Sequence, residues 1–163
     1  MSLSKALLSE LSFESESTRK ILLRIPDEQL GWRPHEKSMS LVQLARHIAW
    51  LPTWIKMAIT QPEHDLSTGF VLPEIKTTGD VVALFEEKIT EAKKLLEGVP
   101  DEMLNEIWTL RKGDAIMFQL PKKAVIRSVS FNHSYHHRGQ LTVYLRLLGV
   151  PLPNIYGPTA DEQ

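Results

Sequence analysis

Apolar residues recur at three- and four-residue intervals in four separate stretches. That recurrence commits most of the chain to helices that each bury one face. The first stretch covers about residues 3–25, where Leu3, Leu7, Leu11, Thr18, Ile21, Leu22 and Ile25 share a stripe and Pro26 ends the run. The second begins after Ser40, which with Gln43 spells a capping box, and carries Leu41, Leu44, Ile48, Leu51 and Ile55 to about Thr60. Pro52 falls inside it and predicts a kink, because proline removes a ladder donor. The third begins near Thr77 or Thr78, presents Val81, Leu84, Phe85, Ile89, Ala92, Leu95 and Leu96, and closes on Gly98 and Pro100. The fourth opens with Pro121 in its first turn and carries Val125, Ile126, Val129, Leu141, Tyr144, Leu145 and Leu148 before Gly149 and Pro151.

Between these stretches the signals weaken. Residues 61–78 are rich in Pro, Gly, Asp and Thr and read as a loop. Residues 101–120 permit either a short helix holding Leu104 and Trp108 or a hairpin of IWTL and AIMFQL turning at Lys112-Gly113-Asp114, with the hairpin favoured. The tail from Asn154 reads as polar and extended. Four amphipathic helices joined by loops predict one all-α domain over residues 1–163, a four-helix bundle with a small hairpin before its last helix.

Composition narrows the chemistry. Lys+Arg is 19 against 20 Asp+Glu, with no basic stripe, so the chain does not read as a nucleic-acid binder. No signal peptide and no membrane-spanning run is legible, and the expected location is cytoplasmic. With no cysteine, a metal site can draw only on imidazole, carboxylate, carbonyl or water.

The histidines then stand out. His133 and His137 lie one helical turn apart in the row Ile126, Ser130, His133, His137, Leu141, Tyr144 and Leu148. His47 lies in the row Ser40, Leu44, His47, Leu51 and Trp54 on the second helix. A lone core histidine usually satisfies a local carbonyl, but two imidazoles stacked in an apolar row call for a shared partner, since a buried unpaired ring costs about 1–3 kcal/mol. A divalent ion held by His47, His133 and His137 supplies one. His136 competes with His137 at three-residue spacing. It reads otherwise as a supporting or solvent-facing residue. Ser134 stands where a zinc peptidase of the HExxH type needs glutamate, which argues against that class. Trp50 and Trp54 read as core, with a pocket wall beside the metal as the alternative, and Arg138 and Gln140 flank the ligand turn as candidates to orient a ligand.

Three stretches carry a resemblance to a known family. GWRPHEKSMSLVQLARHIA (31–49), NHSYHHRGQLTVYLRLLG (132–149) and VPLPNIYGPTADE (150–162) are similar, in that order, to the corresponding motifs of the DinB/YfiT-like metal-dependent proteins. The resemblance implies a bundle in up-down-down-up order, often a homodimer, with zinc or nickel on His47, His133 and His137 plus a water. Relatives implied by it include thiol-dependent S-transferases and a maleylpyruvate isomerase. The resulting expectation is a metal-dependent transferase or hydrolase acting on a small molecule, with a low-molecular-weight thiol as a second cofactor. The rival is a non-catalytic metal-binding dimer with a stress-response or interaction role. No general acid or base is assignable.

Overall fold

The computed structural model describes residues 2–162. Helix α1 (Leu3–Leu22) is capped by Ser2, and its first two amides donate to Asp101 at 2.7 and 2.9 Å, so a carboxylate distant in sequence satisfies donors that a helix start leaves open. Helix α2 (Leu41–Trp50) starts on the expected Ser40/Gln43 capping box. The proline has a larger effect than a kink: α2 stops at Trp50, and a separate helix α3 (Thr53–Thr60) begins after the buried Pro52. Helix α4 (Thr78–Gly98) starts on a second capping box, Thr77 with Asp80, and its Thr78 amide donates to Asp27 at 2.6 Å.

Residues 61–78 are not loop throughout, and the chain is mostly helical rather than all-α. Strand β1 (Glu63–Asp65) pairs in parallel with β2 (Ile107–Lys112), which pairs antiparallel with β3 (Ala115–Pro121). For residues 101–120 the favoured hairpin forms and turns at Gly113, whose φ of 58° suits a residue without a Cβ, while the helix alternative is met only in part: a short helix α5 (Asp101–Asn105) buries Leu104 but ends before Trp108. Trp108 and Leu110 point inward from β2 opposite Leu120 and Phe118.

The last helical stretch runs from Lys122 to Leu147 without a break, but not as one regular helix. A turn of α6 (Lys122–Val125) passes into a π-helical segment (Ile126–Asn132) and then into α7 (His133–Leu147), which ends at Gly149 with φ 72°. α1 packs on α4 and α7, and α2 packs on the same two helices, so a single core of Leu, Ile, Ala and aromatic side chains lies between them. The tail is not extended. It bends back over the helices, with Asp161 on Arg146, Glu162 on Arg24, and the Tyr156 hydroxyl on Arg138. Among the described residues, no helix is long and apolar enough to cross a membrane.

Candidate metal centre

His47 comes from the last turn of α2, and His133 and His137 come from the first two turns of α7. The packing of α2 on α7 brings the three rings together. His133 Nε2 lies 3.2 Å from His47 Nε2 and 2.8 Å from His137 Nε2. All three ligand atoms fall within 4.8 Å of one another. Nitrogens bound to one tetrahedral ion at 2.0–2.1 Å stand roughly 3.3 Å apart, so the cluster already has nearly the dimensions of a coordination site.

The surroundings fix which ring nitrogen faces the centre. His137 Nδ1–H donates to Gln140 Oε1 at 2.6 Å, which leaves Nε2 as the lone-pair atom. His133 has the Val129 backbone as a hydrogen-bond partner. The π-helical segment bears on this contact, because the His133 amide donates to Ser130 instead of taking the Val129 carbonyl in an ordinary i−4 bond.

Electrostatics point the same way. Burial pushes the His47 ring down to about 4, with the neighbouring His137 and His133 rings acting in the same direction. His133 and His137 are also lowered, chiefly by burial, against the opposing effect of the hydrogen bonds their rings donate to the Val129 backbone and Gln140. The rings are therefore neutral at pH 7, and three neutral imidazoles with converging lone pairs are the donor set that zinc, nickel, iron or copper accept. The residues fit a divalent ion.

The other predicted residues separate. Gln140 belongs to the site through His137. His136 is exposed, its ring 4.9 Å from that of His137, so the four-residue pair and not the three-residue pair forms the cluster. Arg138 turns away from the rings. It is buried against α1, where it donates to the Glu14 carboxylate at 2.6 Å, the Glu14 carbonyl at 3.2 Å and Thr18 Oγ1 at 3.1 Å. Trp50 and Trp54 pack as core: they meet edge-to-face and join Phe70, with Trp54 also against His64 and Trp108. The break at Pro52 explains Trp54, since the row through His47 and Leu51 does not continue regularly into α3.

A cleft of about 250 Å³ opens beside His47, lined also by Met39, Gln43, Arg46 and Leu72. Sequence reasoning did not pick these residues. For Gln43 and Arg46 a signal existed, because they share a helix side with His47 at i, i+3 and i+4. Leu72 arrives from a distant segment and left no local signal.

The DinB family model matches residues 1–163. The uncharacterized protein YrdA of Bacillus subtilis (strain 168) is 27% identical over 161 residues, covering 95% of this chain and 89% of that protein. Among solved structures, a DinB-like protein from Bacillus cereus ATCC 10987 superposes with a TM-score of 0.72 at 23% identity, covering 93% of this chain and 97% of that one. The DinB-like protein YjoA from Bacillus subtilis gives 0.70 at 18% identity, covering 97% and 99%.

Proposed function

Because the chain belongs to the DinB family, we propose that it is a metal-dependent enzyme that uses His47, His133 and His137 to hold one divalent ion, zinc or nickel, and acts on a small molecule as a thiol-dependent S-transferase or a hydrolase. The observation that carries this reading is the convergence of three neutral Nε2 atoms, one of whose rings, His47, also lines an open cleft. A bound ion would supply Lewis-acid chemistry, lowering the pKa of a water or thiol toward neutrality. The chain's own residues do the rest. Gln140 and the Val129 backbone orient two imidazoles. Burial keeps the rings unprotonated so that their lone pairs stay available. Met39 and Leu72 give the cleft beside His47 apolar lining.

The same reading takes the four packed helical stretches as an up-down-down-up bundle and the protein as a cytoplasmic homodimer without a nucleic-acid partner. The test is turnover by metal-reconstituted protein, purified without an affinity tag, against a panel of small thiols and electrophiles. Turnover by wild type that His133→Ala abolishes supports catalysis. A tightly held ion with no turnover, or equal rates in both proteins, favours the non-catalytic metal-binding alternative.

A further inference from the structure

Arg19, Arg24, Arg111, Arg127, Arg138 and Arg146 each meet a carboxylate. Arg46 does not. Its hydrogen-bond partner among the described residues is the Pro73 carbonyl, at 3.4 Å. A guanidinium has five donors, so most of its capacity is unused. Gln43 is in a similar state: its Oε1 accepts from the Ser40 amide at 2.8 Å, which leaves the side-chain NH₂ without that role. Both side chains line the cleft that His47 also lines, so it offers donors and positive charge together with apolar Met39 and Leu72.

We propose that this cleft selects small carboxylate-bearing ligands, with Arg46 pairing the carboxylate while the rest of the ligand lies against Met39 and Leu72. The inference rests on the metal-centre reading and names its substrate class. An arginine–carboxylate pair is charge-assisted and often bidentate, and it discriminates against a neutral analogue of equal size.

The test uses cobalt-loaded full-length protein titrated with mercaptoacetate and with 2-mercaptoethanol, two thiols of similar size that differ in charge, followed by the change in the cobalt visible spectrum. Mercaptoacetate is expected to bind about tenfold tighter, and Arg46→Met to remove that preference while leaving 2-mercaptoethanol binding unchanged. Melting temperature checks that Arg46→Met is folded, and Arg46→Lys should retain part of the preference. Equal affinity for both thiols in wild type overturns the inference and leaves the metal-centre reading standing. A parallel loss of both in Arg46→Met also overturns it, because Arg46 would then only latch the Pro73 segment. Failure to take up cobalt, or no spectral response to either thiol, overturns the metal or thiol reading and this inference together.

Discussion

Replacing Glu14 by alanine should destabilise the protein through a residue that lies outside every motif that suggests chemistry. Arg138 and Glu14 side chains are only 3% and 14% exposed, and their oxygen–nitrogen distance is 2.6 Å. Removing one member of a buried ion pair strands the other charge, which costs about 3–5 kcal/mol. The Glu14 carbonyl, Thr18 and Tyr156 still accept from Arg138 in the variant, so the lower end of that range applies, about 3 kcal/mol. In a domain of this size that corresponds to a fall of roughly 6–12 °C in melting temperature. Urea unfolding at neutral pH measures it directly, with an unchanged m-value showing that the denatured state is not altered. The double variant Glu14→Leu/Arg138→Met should recover much of the loss, because it replaces the pair by apolar groups instead of leaving one charge alone. A cost under about 1 kcal/mol for Glu14→Ala would refute the reasoning, since exposed pairs behave that way.

Three further outcomes are expected. The His47 ring, ordinarily at 6.5, is held at about 4 in the fold, so protons bind the unfolded chain more readily. The metal-free protein should therefore be insensitive to this group above about pH 6.5 and lose about 1–3 kcal/mol as pH falls toward 4, a slope that His47→Gln flattens in urea titrations. Gln140→Ala frees the His137 ring and should weaken metal affinity roughly 10–100-fold in a chelator competition while barely changing the melting temperature. Gly149→Ala places a Cβ at φ 72° and should cost about 1–2 kcal/mol in thermal unfolding.

Much of the helical frame was legible because each helix announces itself locally. The Ser40/Gln43 box opens α2 where expected, and the stripe through Val81, Leu84, Phe85 and Ile89 is buried in α4. The α7 part of the histidine cluster was legible for the same reason: four-residue spacing is a local fact, and His137 is buried as its row required. What the sequence hid depends on contacts distant along the chain. Strand β1 is three residues, Glu63–Asp65, with no alternation of its own, and exists because β2 supplies a partner. The π-helical segment has no compositional mark, yet it alters the bonding around Val129 beside His133. Arg138 was readable as a neighbour of the ligand turn, but its partners sit on α1 and in the tail. A continuous helix would keep Trp54 in the His47 row, and Pro52 ends that continuity.

Metal stoichiometry in untagged protein, measured by elemental analysis after exhaustive dialysis, bears most directly on the central claim. One divalent ion per chain is expected in the wild type, with near-complete loss in each of His47→Ala, His133→Ala and His137→Ala while the helical circular-dichroism signal persists. Full metal content in any one of the three variants, or none in a metal-supplemented wild type, would contradict a shared ion at these rings.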